Sequence, residues 1–165
     1  MGIIKSVRFR YWVGLGAAIV LGLIFLLAGV GKLLGQLEGS FIFFTPFADF
    51  LLPFAPEIYL WLPVIEIAVG LLLITGVLAR PAAALAVGLI AVFMANNSWL
   101  ISHGFGAEPC GCFGILEEIA QLRLLTIGSL GLDVVMLLLA LATLFLARVS
   151  FFNINPWFWA DKTGE

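Results

Sequence analysis

The sequence predicts an all-α membrane protein: a four-transmembrane-helix bundle, a single domain over residues 1–165, with an amphipathic outer loop. Three observations predict it. The chain is 63% hydrophobic and 11% charged, where a soluble domain carries about 25% charged residues, so a lipid-facing surface is the economical explanation. Its mean hydropathy is +1.18. Four apolar stretches each reach the ~20 residues that cross a bilayer as a helix. No alternating strand pattern interrupts them, and in lipid a lone helix satisfies its own backbone.

The first span is predicted at about 12–34. Lys5, Arg8 and Arg10 precede it, as in the charged region of a signal peptide, but the apolar run is long and lacks a small-residue cleavage site. An uncleaved first helix is expected. The loop that follows, Gln36 to Pro56, carries Phe41, Phe43, Phe44, Phe47, Phe50 and Phe54. It is expected to lie across the outer helix ends as a short amphipathic or re-entrant lid. Spans two and three, about 57–79 and 81–102, are predicted as a hairpin closed by a tight turn at Ala79-Arg80-Pro81, with Pro81 in the first turn of span three. The fourth span is predicted at about 122–147. Asn155-Pro156-Trp157-Phe158-Trp159 then reads as an interfacial aromatic anchor.

Charge sets the expected orientation. Lys5, Arg8, Arg10, Arg80, Arg148 and Lys162 fall on one side. Lys32 and Arg123 fall on the other, with Glu38, Asp49, Glu57, Glu108, Glu117 and Glu118. The positive-inside rule places both termini in the cytoplasm and the loop before span four outside a bacterial inner membrane. The net charge of −2 excludes a strongly basic nucleic-acid binder.

That outer loop contains the two cysteines of the chain, in Cys110-Gly111-Cys112-Phe113-Gly114. The expected compartment permits disulfides. A disulfide across one intervening residue closes a small ring, and Gly111 gives it backbone freedom. Such a bond closes too short a loop to stabilise the fold much, and strained or exposed disulfides are the labile, catalytic ones. Redox exchange is therefore the leading reading of Cys110 and Cys112. A passive disulfide, a pair of buried thiols, or a Cu(I) site with His103 and Glu108 nearby are the alternatives. A structural zinc site wants four ligands, usually from two clusters, and only one cluster is present.

Polar residues inside the spans are costly and normally face the protein interior. Lys32 lies near the outer end of span one. At 1.5 Å per residue, Asn96 and Asn97 lie ~8 Å, Glu66 ~13 Å and Asp133 ~16 Å below the outer ends of their spans. The expectation is one pocket beneath the Phe-rich lid, with a Lys32–Glu66 pair, in which these groups bind a membrane quinone and relay its protons. The bland alternative is that Glu66 and Asp133 bond helices together. Ala28, Gly29, Gly31, Gly70, Gly128 and Gly131 read as small-residue packing surfaces.

The run Ala28-Gly29-Val30-Gly31-Lys32, then Pro63-Val64-Ile65-Glu66 with Gly70 and Gly76, then Arg80, resembles the DoxX-like family of four-helix membrane proteins. Cys110-Gly-Cys-Phe-Gly ahead of a fourth helix is similar to its MauE branch, the methylamine-utilisation membrane proteins. The resemblance covers nearly the whole chain. It implies a redox-associated inner-membrane protein: MauE-type proteins are associated with forming disulfides in a periplasmic partner, and DoxX relatives with sulfur oxidation and quinone reduction. The arrangement also resembles the vitamin K epoxide reductase fold, in which a quinone sits beside a cysteine pair. That family uses CxxC plus a shuttle pair, whereas this chain has CxC alone, so shuttle thiols would belong to a partner.

The expected function is thus a membrane thiol–disulfide oxidoreductase coupling Cys110 and Cys112 to a membrane quinone held by Lys32, Glu66, Asn96, Asn97 and Asp133. Its expected partners are lipid and a periplasmic dithiol protein. The alternatives are a non-catalytic subunit of a larger membrane redox or photosynthetic complex, and a Cu(I)-binding membrane protein.

Overall fold

In the computed structural model, residues 2–37, 55–107, 110–119 and 125–146 are described. Helix α1 spans Gly2–Leu37, α2 Ala55–Thr75, α3 Ala79–Ser102, α4 Ile115–Ile119 and α5 Thr126–Leu146. Among the described residues the regular elements are all α-helices. Three of them are long and apolar enough to cross a membrane: Trp12–Leu37, Ala79–Ser102 and Thr126–Leu146. The described apolar part of α2 is shorter, Leu60–Thr75. The Phe-rich lid falls at 38–54 and the aromatic anchor at 155–159, both outside the described residues.

Two boundaries differ from the sequence expectation, the first for a local backbone reason. The turn between α2 and α3 is Gly76 to Leu78, not Ala79 to Pro81. Gly76 adopts φ +76°, which glycine does without penalty, and its N–H bonds Leu72 O at 3.0 Å to finish α2. Leu78 also enters the left-handed region, at φ 51°. Helix α3 therefore starts early enough to hold Arg80 and Pro81 in its first turn, where proline's missing N–H would have found no intrahelical partner. The second difference is the start of α5 at Thr126 instead of 122. That places Asp133 only ~10 Å, seven residues, below the helix start.

Helix α1 packs against α2, α4 and α5, and α3 packs against α2 and α5. The α1–α2 contact is antiparallel and depends on glycines. A Cβ on Gly22 would lie 2.8 Å from Gly70 O, a Cβ on Gly70 would lie 2.8 Å from Gly22 O, and one on Gly29 would lie 2.8 Å from Pro63 O. The two backbones approach more closely than any side chain would permit, which is the usual way membrane helices gain packing. The apolar core is Leu21, Phe25, Val69, Leu73, Ala82, Ala83, Ala86, Ile90, Met136 and Ala140.

Helix α5 reverses the pattern of a soluble helix. Its buried residues are Thr126, Ser129, Asp133, Met136, Ala140 and Thr143, spaced alternately by three and four, so they form one face. Ile127, Val134, Val135, Leu138 and Phe145 point outward. Gly128 is exposed and Gly131 meets open space. These two glycines do not form the packing surface expected of them, because the buried stripe lies on the opposite side of the helix.

Candidate functional site

The site is built where the segment between α3 and α5 folds back over the bundle. Helix α3 closes with a Schellman arrangement: Gly104, at φ +91°, donates to Ile101 O at 3.1 Å and Phe105 donates to Leu100 O at 2.9 Å. The chain then reaches Cys110 and Cys112, which form a disulfide with their Cα atoms 5.3 Å apart. Gly111 and Gly114 both have positive φ, +64° and +54°, so each bend of the segment rests on a residue without a Cβ. The short α4 follows at once.

This segment is seated on α1. A Cβ on Gly114 would run into the carbonyl of Gly31 and the amide of Lys32, and one on Gly31 would run into the carbonyl of Phe113. Gly31 is thus the dent in α1 that receives the cysteine loop, and Gly114 is the matching part of the loop. The next residue of α1 is Lys32, so docking brings the disulfide to the level of the buried charges.

Lys32 and Glu66 form a buried salt bridge, with the Lys32 ammonium also 4.9 Å from the centre of the Phe93 ring. Glu66 is completely buried. Oε1 takes the Lys32 bond, whereas Oε2 is buried with no hydrogen-bond partner.

A second polar chain links the disulfide to the interior. Cys112 Sγ lies 2.9 Å from Ser129 Oγ. Asn97 donates from Nδ2 to Ser129 Oγ at 3.2 Å and to Asp133 Oδ2 at 2.8 Å. A disulfide sulfur has no hydrogen to give, so the Ser129 hydroxyl is the donor to Cys112. The two Asn97 bonds use its two amide hydrogens. Asp133 therefore orients Asn97, Asn97 occupies the Ser129 oxygen, and the Ser129 hydrogen is left for the sulfur.

Cys110 has different neighbours. Its Sγ lies 3.7 Å from Glu117 Oε1 and accepts the N–H of Cys112 at 3.1 Å. Glu117, buried on α4, also accepts the Phe113 N–H at 3.0 Å. Burial pushes its carboxyl above the usual carboxylate range. The loop N–H groups and the Lys32 charge oppose that rise without cancelling it.

Of the residues expected to line one pocket, Lys32 meets Glu66 and Asn97 meets Asp133. Asn96 stands apart, with Oδ1 buried and unpartnered. His103 is exposed, stacked on Trp99 and bonded through Nδ1 to Ser102 Oγ and Trp99 O. Among the described residues, no three His, Cys, Asp or Glu side chains gather as metal ligands. Two participants escape a reading of the sequence. Ser129 was findable: it lies four residues before Asp133 and so shares its helix face. Glu117 carried no signal beyond its charge, because its approach to Cys110 depends on the turn at Gly114.

The family model described as methylamine utilisation protein MauE matches residues 10–146. This covers most of the chain and every residue of the site, so the chain belongs to the MauE family. No curated protein and no solved structure matches it. The chain is an integral membrane protein by its family and its three spanning-length apolar helices.

Proposed function

We propose that this MauE-family protein is a membrane thiol–disulfide oxidoreductase that takes electron pairs from a partner's dithiol into the Cys110–Cys112 disulfide and passes them to a membrane quinone. One observation carries the reading: the disulfide joins residues of a single loop, yet its Cys112 sulfur is bonded through Ser129 and Asn97 to a buried carboxylate, Asp133. A bond that only pinned the loop would have no use for such a connection.

A partner thiolate attacks one sulfur and forms a mixed disulfide, and the partner's second thiol resolves it. The partner leaves as a disulfide. Two electrons and two protons stay behind as the thiols of Cys110 and Cys112. A membrane quinone, when bound, supplies the acceptor for that electron pair and those two protons. The buried residues suit such a group. Lys32 has the charge to donate to a ring carbonyl, and Phe93 offers an apolar face. Glu66 Oε2 is an acceptor lacking a donor, which a quinol hydroxyl would provide. Lys32 and Glu66 would hold the polar end of the ring.

In this reading α2 is the fourth span, completed by residues at its N-terminal end. Both termini lie in the cytoplasm, and the cysteine loop faces outward from a bacterial inner membrane, as the distribution of Lys and Arg favours.

The test is a thiol titration of the full chain in lipid nanodiscs, reduced and then mixed with a short-chain quinone. Quinone-dependent loss of thiols, absent in Cys110→Ser and Cys112→Ser, is the expected result. A thiol count indifferent to quinone would sink the reading and leave a structural subunit. Stoichiometric copper in the reduced protein would instead identify a Cu(I) site.

A further inference from the structure

The two sulfurs of the disulfide have different surroundings, and the difference sets a direction. Cys112 Sγ accepts a hydrogen bond from the Ser129 hydroxyl, whose oxygen is already taken by Asn97. Negative charge appearing on Cys112 is therefore met by a donor already aimed at it, the arrangement that favours a leaving thiolate. Cys110 Sγ faces the Glu117 carboxyl group. That group opposes a thiolate on Cys110, partly offset by the Cys112 N–H, but it is placed to accept a proton from a thiol arriving there.

We infer that Cys110 is the sulfur attacked by the partner thiol, that Glu117 is the general base for the incoming thiol, and that Cys112 is the leaving sulfur, stabilised by Ser129. This deepens the proposed exchange reaction and rests on it only for the existence of a thiol substrate. The first partner thiol gives its proton to Glu117 and forms an S–S bond to Cys110 as the Cys110–Cys112 bond breaks. The electron pair of that bond leaves on Cys112. The partner's second thiol then attacks its own sulfur in the mixed disulfide and forms the partner's disulfide. It expels Cys110, which recovers the proton from Glu117. The second thiol's proton ends on Cys112. One disulfide is reduced, one dithiol is oxidised, and Glu117 returns to its starting state.

Glu117 is suited to the task in two further ways. The loop N–H of Phe113 holds Oε1 in place, so the carboxyl group is fixed against the disulfide by the loop itself. Burial raises its proton affinity, bringing it nearer to the neutral range in which a base is most effective. The charged group that acts on it from a neighbouring helix is Lys32 on α1, already engaged by Glu66.

The test uses two small reductants on the full chain in nanodiscs without quinone. Glutathione carries a proton that must be removed on attack, whereas tris(2-carboxyethyl)phosphine attacks through a lone pair and has none to lose. Glu117→Gln should slow disulfide opening by glutathione roughly a hundredfold, the lower end of the range for general base catalysis, and leave the phosphine rate within about twofold. Ser129→Ala should slow both reagents, because the leaving sulfur is common to them. Rapid acid quenching, alkylation and peptide mass spectrometry should find glutathione on Cys110 and the alkyl group on Cys112. An adduct on Cys112, an even split, no adduct at all, or an equal loss with both reductants in Glu117→Gln would overturn the assignment. Because quinone is absent, failure here is distinct from failure of quinone-dependent oxidation.

Discussion

The properties of single residues in this protein follow from where their charges are placed. Lys32 and Glu66 are each expensive in the apolar interior and tolerable together. Removing one partner strands the other, at a typical cost of about 3–5 kcal/mol. Glu66→Gln or Lys32→Met should therefore lower stability by that amount in denaturant unfolding of the micelle-bound protein. The double variant should recover much of it, since neither charge is then left alone. Glu117 predicts a pH effect of definite sign. Its carboxyl is raised on folding, so the folded state binds its proton more tightly than the unfolded state does. The stabilisation it gives is complete below the ordinary carboxylate value of 4.5 and is lost as pH rises through the folded-state value. Comparing unfolding midpoints on both sides of that window, the wild type should lose stability with rising pH by more than Glu117→Gln does. Equal slopes would show that Glu117 is not buried against the loop.

At the scale of elements, the decisive contact is the cysteine loop on α1. The segment Ala28-Gly29-Val30-Gly31-Lys32 is legible as a small-residue surface. Its sequence does not say that Gly29 serves the Pro63 turn of α2 while Gly31 serves the loop. The separation arises because residues two apart on a helix lie about 200° apart around its axis. Gly31→Ala would place a methyl group against backbone, which cannot rotate away. We expect a loss of about 1–3 kcal/mol, as for other overpacked contacts, together with faster alkylation of the reduced cysteines as the loop lifts. Gly16→Ala, at a position with open space around it, is the control: it should not lower stability, since alanine is the better helix former, and should leave the alkylation rate unchanged. If Gly31→Ala alkylates at the wild-type rate, the loop is not held by this contact.

At the scale of the whole molecule, the polar groups of the site lie inside and many of the large apolar side chains lie outside. Trp12, Leu27, Leu71, Leu85, Leu138 and Phe145 are at least half exposed, while Glu66, Asn97, Ser129 and Asp133 are buried. Lipid makes this arrangement stable, since exposed leucine costs nothing there and exposed carboxylate does. The topology proposed from Lys and Arg makes a direct prediction. After mild reduction, a membrane-impermeant maleimide added to intact cells should label Cys110 and Cys112 without cell opening. Labelling only after the membrane is breached would place the loop on the other side.

The sequence by itself determined the membrane class, the approximate positions of α1, α3 and α5, the cysteine pair, and the pairing of Lys32 with Glu66. These follow from hydropathy, from length, and from the cost of a lone charge in an apolar medium, all of which act locally or leave few choices. Tertiary structure decided which groups meet the sulfurs. Ser129 and Glu117 became part of the site, Asn97 was distinguished from Asn96, and the turn moved to Gly76–Leu78. Those outcomes depend on backbone bends at Gly76, Gly111 and Gly114 and on the dent at Gly31, and a shift of one residue along a helix turns a side chain by about 100°. Composition and spacing do not record that angle; the packed helices fix it.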